Sequence, residues 1–335
     1  MRAMHIGPGE GVARLVPTTL PDPGAPRAGE IRVRLHASSL NFHDFGVVNG
    51  RIPTVQGRIP MADGAGVVEE VGSGVSEFRV GEQVVSTFFT DWMSGPPTSV
   101  GFGSVAGDGV DGYAREVVVA PATFFTPVPS GYSHAEAATI TTAGVTAWRA
   151  LVIDASVQPG QTVLVLGTGG VSVFALQIAV GLGATVIVTS SSEEKLERVR
   201  KLGATHTVNY RETPQWGAAV RELTDGHGVD CTVEVAGMGT INESVQATAL
   251  GGFISVIGGL SGFAAPFDFR GMLFRQQRLQ GLIVGSREHQ QRCVETFERL
   301  TIQPVIDRSF ALEELRAAFE YQGSGAHFGK ICVEW

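Results

Sequence analysis

The sequence predicts an α/β protein in which a doubly wound parallel sheet of six strands is joined to a second, β-rich domain. Three observations lead there. Thr162–Ser192 reads as strand, glycine turn, helix and strand. From Val163 to Val284 strand and helix patterns alternate, while residues 1–125 carry short strand patterns set among glycines and prolines.

At 335 residues the chain exceeds one ordinary hydrophobic core, so two domains are the default. With 43% hydrophobic and 17% charged residues it has the composition of a compact enzyme-like protein. A formal net charge of −8, with no Lys/Arg run, argues against nucleic acid as the main partner. Cys231, Cys293 and Cys332 are too few and too scattered for a disulfide framework or a metal cluster. The opening residues, MRAMHIGPGE, lack an apolar signal region, and a reducing, cytoplasmic setting is expected. No charged residue occurs between Ala155 and Ser192, long enough to span a bilayer. Gly160, the Gly167–Gly170 cluster, Gly181 and Gly183 cut this run as a doubly buried sheet core would be cut, so no membrane partner is expected.

In order, Ile31–Leu35 alternates apolar and polar as a half-exposed strand does, and Gly64–Gly72 and Val80–Val85 are further strands bounded by glycines. Phe88–Gly112 is a long irregular segment with Phe88, Phe89, Trp92, Met93, Pro96, Pro97 and Phe102. It is either a substrate-binding loop or a segment packed on the body, and both readings stay open. Near Ser133 the period changes, and His134–Ile140 and Val145–Ala155 read as helices. Beyond the glycine turn come a helix, a strand at Thr185–Thr189, a helix at Glu193–Leu202 and a strand at His206–Val208. Helix Pro214–Thr224, strand Val229–Val235, helix Thr240–Ala249, strand Phe253–Ile257 and a last strand, Leu279–Val284, follow. The tail, Pro304–Trp335, returns to strand, helix and strand.

Strand, glycine turn and helix make a dinucleotide-binding unit, in which backbone N–H groups at a helix N-terminus receive a pyrophosphate. The candidate cradle is Gly167, Thr168, Gly169, Gly170 and Val171. Gly167 permits the tight turn, and Gly169 lets backbone approach phosphate without a Cβ in the way. The third glycine of the fingerprint is Ser172, small enough for close helix–strand packing. An acidic residue about 20 positions beyond the first glycine would favour NAD by bonding the ribose 2′-hydroxyl. Those positions hold Thr189, Ser190, Ser191 and Ser192, with no acid before Glu193. Hydroxyls with Lys195 one helical turn on suit a 2′-phosphate, so NADPH is the expected cofactor. The other reading of Lys195, among Glu193, Glu194 and Glu197, is an ordinary solvated helix residue.

Several motifs then stand in a recognisable order: Ser39-Leu-Asn-Phe-His-Asp44, Asp63-Gly-Ala-Gly-Val-Val-Glu-Glu-Val-Gly-Ser-Gly-Val75 and Phe78-Arg-Val-Gly-Glu-Gln-Val84. Ala143-Gly-Val-Thr-Ala-Trp148, the Gly167–Ser172 turn, Lys201-Leu-Gly-Ala204 with Val208-Asn-Tyr210, and His327-Phe-Gly-Lys330 complete the set. On these the chain resembles the medium-chain dehydrogenase/reductase superfamily over nearly its whole length. The resemblance implies a GroES-like β-barrel domain from residues 1–125 and 287–335, a Rossmann domain over 126–286, and an active site in the cleft between them.

Zinc-dependent members of that superfamily carry Cys at the position of Asn41, a His-Glu pair at Ala62-Asp63, and a Cys or Asp near Thr142. Asn and Ala are not tetrahedral zinc ligands, and the lobe with four closely spaced cysteines is missing, so no metal is expected. The zinc-free members the chain resembles, quinone oxidoreductases and enoyl-type reductases, pass hydride to a quinone or an activated C=C. In quinone oxidoreductases the residues at the positions of Asn41 and Thr146 lie near the nicotinamide. Those at Lys195 and Tyr210 contact the 2′-phosphate.

Without a metal, protein groups must stabilise charge on the acceptor oxygen. Asn41 reads either as an amide donor to a carbonyl oxygen or as a turn or cap residue. His43 reads as a proton donor near neutral pH, as a histidine bonded within the fold, or as a ribose contact. Asp44 is read as a structural or His43-orienting carboxylate. Tyr113 and Tyr132 are further possible donors that nothing singles out, and Glu234 and Cys231 are read as structural. The expectation is an NADPH-dependent, zinc-free oxidoreductase acting on a quinone or an α,β-unsaturated carbonyl. Its alternatives are an alcohol dehydrogenase or ketone reductase of the same superfamily, and a crystallin-like nucleotide-binding structural protein. Leu279–Gly285 reads as a sheet edge needing cover, and the superfamily's two-fold pairing of that strand implies a homodimer.

Overall fold

The computed structural model describes residues 1–97 and 102–335; residues 98–101 of the Phe88–Gly112 segment, and the side chain of Phe102, lie outside the described set. Two compact units are present, Met1–Val145 with Val284–Trp335, and Thr146–Ile283. The first junction falls later than the expected 125/126 for a local reason. Phe125–Pro127 is itself a strand bonded to Gln83–Ser86, and Ala135, Ala137 and Ala138 just after it pack on Ala37, Ala65 and Val85.

In the first unit, β1 (Arg2–Ile6) and β2 (Leu15–Thr19) form an antiparallel pair. The sheet that follows contains β3 (Glu30–Ser39), β4 (Ala65–Val71), β5 (Gln83–Ser86), β6 (Val117–Pro121) and β7 (Phe125–Pro127). β3 is its hub, bonded antiparallel to both β4 and β6. The alternation seen in Ile31–Leu35 sends Ile31, Val33 and Leu35 into a core with Val68, Val84, Tyr113 and Phe125. Helix α1 (Phe42–Val48) follows β3 directly, and α2 (His134–Ala138) follows β7. The helix expected from Val145 to Ala155 is interrupted. Only α3 (Val145–Trp148) is α-helical, and Ile140–Gly144 and Arg149–Asp154 are wound as π turns, with i→i−5 bonds such as Ala155 N–H to the Ala150 carbonyl.

The second unit carries strands β8 (Thr162–Leu166), β9 (Thr185–Ser190), β10 (His206–Asn209), β11 (Val229–Glu234), β12 (Thr248–Val256) and β13 (Arg278–Gly281). All six are parallel, in the order β10-β9-β8-β11-β12-β13, the doubly wound arrangement expected. Helices α4 (Gly170–Gly181), α5 (Glu193–Lys201), α6 (Trp216–Glu222), α7 (Ile241–Ala247) and α8 (Phe269–Phe274) connect them. β8 lies third from the edge, with Val163, Leu164 and Val165 wholly buried between β9 and β11, which explains the charge-free stretch. Three elements differ from expectation. β12 begins at Thr248, ahead of Phe253, because the chain enters the sheet beside Val229 and absorbs the early start in a register shift. β13 stops at Gly281 because Leu282 and Val284 turn inward to be buried and Val284 takes a left-handed φ of 43°. α8 was not expected; it buries none of its residues and is capped by the Asp268 side chain.

The chain then returns to the first unit through α9 (Arg287–Leu300), β14 (Ile306–Ala311), α10 (Leu315–Ser324) and β15 (Lys330–Glu334). β15 runs antiparallel to β3, with Cys332 opposite Ser39. Phe88, Phe89 and Trp92 are buried, stacked edge to face, and the Trp92 carbonyl accepts from Arg287 N–H at the start of α9. The opening of the long segment is therefore packed on the body. Among the described residues no helix is long and apolar enough to cross a membrane.

Gly66 in β4 lies so close to β3 that a Cβ there would sit 2.0 Å from the Arg34 carbonyl oxygen. Gly66→Ala should cost about 1–3 kcal/mol of stability by forcing this strand pair apart. Urea unfolding of the variant measures it, and an unchanged midpoint would contradict the packing.

Candidate functional site

The expected site residues fall into two groups, one in each unit. In the first unit the turn from β3 into α1 presents Asn41 and His43. Asp44, third residue of the helix, caps it: Oδ2 accepts from Asn41 N–H at 3.0 Å and Oδ1 from Ala62 N–H at 2.8 Å. Asn41 is buried, and every polar atom of its amide is engaged. Nδ2 donates to Asp63 at 2.8 Å and Asp44 at 3.1 Å, and Oδ1 accepts from Lys330 Nζ at 2.6 Å. A lysine can only donate and a carboxylate only accept, so this orientation of the amide is determined from both ends. The sequence reading gave this N–H to a substrate carbonyl; in the folded unit both its hydrogens already face carboxylates.

Asp63 and Lys330 are the residues that sequence reasoning passed over. Asp63 is wholly buried; Oδ2 accepts from Ser39 Oγ as well as Asn41, and Oδ1 accepts from Thr142 Oγ1 at 2.6 Å. Lys330, in β15, is 3% exposed and donates also to the Leu40 carbonyl, with Asp63 3.9 Å away. Burial pushes the Asp63 carboxyl up to about 6 against the pull of the Lys330 ammonium, and burial pushes Lys330 down. The only signal for Lys330 in the sequence was its place in the His327–Lys330 motif.

These are the positions at which zinc-dependent relatives hold metal, and the residues present do not fit one. Asn41, Asp63 and Thr142 are bonded to one another or to Lys330, Ala62 offers a methyl group, Cys231 and Cys293 are buried elsewhere as free thiols, and the Cys332 thiol donates to the Ala135 carbonyl at 3.5 Å. Among the described residues no group of three His, Cys, Asp or Glu side chains is disposed to bind a metal.

His43 has a partner the sequence did not indicate. Its Nε2 lies 3.1 Å from Oδ2 of Asp108, 65 residues further on in the long segment, and its ring stands edge-on to Phe88. Asp108 is itself held in place, its carbonyl accepting from Thr54 Oγ1 and its carboxylate from Gly109 N–H. Nδ1 is 3.9 Å from Asp44, too far for a hydrogen bond, and is buried without an acceptor among the described residues. Burial disfavours the imidazolium, but the Asp108 and Asp44 carboxylates outweigh it and push His43 up to about 9. At neutral pH His43 is a cation. Neither tyrosine is disposed to donate outward: Tyr132 bonds the Ile302 carbonyl, and Tyr113 is buried and pushed up to about 12, mainly by that burial.

In the second unit β8 ends at Leu166 and the chain turns through Gly167, whose φ of 73° suits glycine. Gly169 caps α4, and a Cβ on it would meet nothing within 4 Å, leaving an open cradle before the helix. Thr168 is buried, and Gly170 and Val171 open α4, whose first-turn N–H groups have no acceptor within the helix and no acidic neighbour in that turn. Ser172, standing in for the third glycine, donates to the Leu166 carbonyl at 2.7 Å and is buried, so the helix packs closely on β8. The geometry fits a pyrophosphate. At the ends of β9 and β10, Ser190, Ser191, Lys195 and Tyr210 come together. Ser190 pairs with Asn209, Tyr210 N–H donates to the Ser190 carbonyl, and Ser192 Oγ caps α5 by accepting from Lys195 N–H. Glu193, the first acid of α5, is paired with Arg200 at 2.8 Å. Thr146 lies buried in α3. Glu234 has the structural role expected, its carboxylate accepting from Ala236 N, Gly237 N, Thr240 Oγ1 and Ser244 Oγ; Cys231 is a core residue.

An open sheet with a glycine cradle at the end of its first strand defines a nucleotide-dependent enzyme class. Comparison with known proteins gives the family. Residues 27–130 match the alcohol dehydrogenase GroES-like domain and residues 170–300 the zinc-binding dehydrogenase domain. The chain is 40% identical to a zinc-type alcohol dehydrogenase-like protein of Schizosaccharomyces pombe, over 97% of this chain and 96% of that one. It is 31% identical to a 2-haloacrylate reductase of a Burkholderia species, over 92% of each chain. The crystal structure of an NAD-dependent alcohol dehydrogenase superimposes with a TM-score of 0.91 at 34% identity, covering 100% of both chains. The chain belongs to the medium-chain dehydrogenase/reductase superfamily and is an oxidoreductase with a Rossmann and a GroES-like domain.

The His43–Asp108 pair makes stability depend on pH in a defined direction. Because the folded pKa of about 9 exceeds the ordinary 6.5, its stabilisation is complete below pH 6.5 and is lost as pH rises through 9. Asp108→Asn should flatten that fall. Unfolding midpoints at about pH 6 and about pH 9.5 measure it, and parallel wild-type and variant curves would rule the pairing out.

Proposed function

We propose that this chain is a metal-independent, NADPH-dependent oxidoreductase of the cytoplasm that reduces a quinone or an α,β-unsaturated carbonyl compound. The observation that carries this reading is the closure of the Asn41–Asp63–Thr142 positions by bonds to protein groups, next to a histidine that is cationic at neutral pH. When bound, the nicotinamide supplies the hydride. Hydride arriving at an activated C=C or quinone leaves negative charge on the carbonyl oxygen, and that charge needs a proton or a fixed cation. His43 meets the need. Asp108 holds Nε2, so the buried Nδ1 proton is the one without an acceptor among the described residues and the one assigned here to a developing enolate. The relative named for 2-haloacrylate reduction supports a conjugated C=C as acceptor. The relatives named as alcohol dehydrogenases support the second reading, reduction of a simple ketone by the same groups.

For the cofactor, the cradle Gly167–Val171 would hold the pyrophosphate, and Ser190, Ser191, Lys195 and Tyr210 the 2′-phosphate. The absence of an acid at the tip of β9 supports NADPH, although one structural relative is named NAD-dependent. We further propose a homodimer through β13. All four of its residues are exposed on the free edge of the sheet, and Phe269, Leu273 and Phe274 of α8 are exposed as well.

Following NADPH absorbance with a panel of quinones, enones, ketones and alcohols, with and without chelator, tests the reaction. Turnover of enones or quinones unchanged by chelator is expected, and loss of activity with chelator would overturn metal independence. Lys195→Ala should weaken NADPH binding about tenfold or more, the worth of one charge-assisted hydrogen bond, and leave NADH binding nearly unchanged. Fluorescence titration measures this, and tighter binding of NADH than NADPH by the wild type would reverse the assignment. In sedimentation the chain should run at twice its own mass, and Leu279→Asp should reduce it to monomer; a monomeric wild type refutes the edge pairing.

A further inference from the structure

Lys330 contributes its ammonium to the heart of the first unit, where it is 3% exposed, far more deeply buried than lysines are as a rule. Burial of an unpaired charge costs several kcal/mol, so a lysine placed here requires partners. It has three: the Leu40 carbonyl and Asn41 Oδ1, both at 2.6 Å, and the Asp63 carboxylate at 3.9 Å. Two of these belong to the turn that leads into α1, the helix that Asn41 precedes and that begins Phe42, His43, Asp44. β15 brings Lys330 there by pairing antiparallel with β3, in a register that continues from Cys332–Ser39 toward Lys330 and residue 41.

We propose that Lys330 is a positioning residue whose ammonium locks the Asn41 amide in one orientation and balances the carboxylates behind it. It acts through Asn41 and the first turn of α1, and so sets where His43 stands. The proposal rests on the metal-independent reading above and deepens it. The Asn41 oxygen is already held by Nζ at 2.6 Å, and a metal could not share it. Without the ammonium, Asp63 and Asp44 would face each other across one neutral amide, and that amide would lose the donor that fixes its Oδ1. Among the described residues, the other ionisable groups facing this cluster are His43 beside Asp44, Tyr113 on the side of Asp63, and Cys332 beside Lys330.

Lys330→Met keeps the aliphatic stem and removes the charge. kcat should fall about tenfold or more while the KM for NADPH changes by less than about twofold, since the proposed contacts to the cofactor's phosphates lie in the other unit. A second readout needs no substrate. The buried Asp63 carboxyl, at about 6 instead of 3.8, makes the fold lose stability as pH rises across that interval, and removing the ammonium should push the interval upward. The variant should thus be destabilised more at about pH 8 than at about pH 5, whereas a lost packing contact would weaken it equally at both. Equal destabilisation with wild-type kcat would overturn the proposal, as would one zinc ion per chain in the purified wild-type protein by elemental analysis. If Lys330→Met does not fold, the double variant Asp63→Asn/Lys330→Met removes both charges together. It should fold and remain slow, and wild-type kcat in it would overturn the proposal. If the wild type turns over no member of the substrate panel, the functional reading fails by itself, and the pH dependence of stability still decides the role of Lys330.

Discussion

A buried ammonium must be bonded on more than one side, and this requirement organises the first unit. Lys330 is 289 residues from Asn41 in sequence, and their 2.6 Å contact can exist only if the last strand lies against the first long one. That pairing joins β14 and β15 to the sheet, seats α10 on the β1–β2 side of the core, and aims the start of α1. The carboxylates of Asp63 and Asp44 belong to the same constraint, because each accepts bonds from the segments that must meet there. A buried polar cluster of this kind stabilises only when fully satisfied, which is why Ser39, Asn41 and Thr142 each contribute a donor.

The second unit works by opposite means. Strands β8 and β9 carry no charged residue and are held by apolar burial on both faces of a parallel sheet. Its candidate cofactor-binding features lie at the ends of strands: a left-handed Gly167, an open Gly169, a helix N-terminus, and hydroxyls where β9 stops. Ser172 illustrates the economy of such a turn. It departs from the glycine fingerprint, yet its hydroxyl is spent on the Leu166 carbonyl and its small volume keeps α4 against β8.

Relatives named for alcohol oxidation and for acrylate reduction share this architecture, so the architecture does not choose between the reactions. The proposed reading places that choice in a few side chains of the first unit. Asn41, Ala62 and Thr142 stand where zinc-dependent members carry ligands, and the His43–Asp108 pair is the cation proposed in their stead. The long segment from Phe88 to Gly112 takes part through Asp108 and Phe88, both of which touch the histidine.

Much of this molecule was legible in the residues alone, and the division follows sequence distance. The six-stranded sheet, the glycine cradle and the cluster of Ser190, Lys195 and Tyr210 are local or nearly so, each written within one strand–turn–helix unit. The short α8 escaped because its six residues bury nothing and so carry no periodicity, and the end of β13 was misplaced because Leu282 and Val284 are apolar for packing beyond the strand. Asn41 and His43 could be singled out from the sequence; what they bond to could not. Asp108 and Lys330 reach them only through strand pairing and loop anchoring across 65 and 289 residues, and no local pattern records such a meeting. The sequence by itself determined the six-stranded parallel sheet, the second, β-rich unit and the glycine turn that ends β8. Only the tertiary structure decided that Asn41 faces inward to an ammonium and that His43 is held as a cation, because charge and hydrogen bonding in a buried site depend on which distant groups the fold places there.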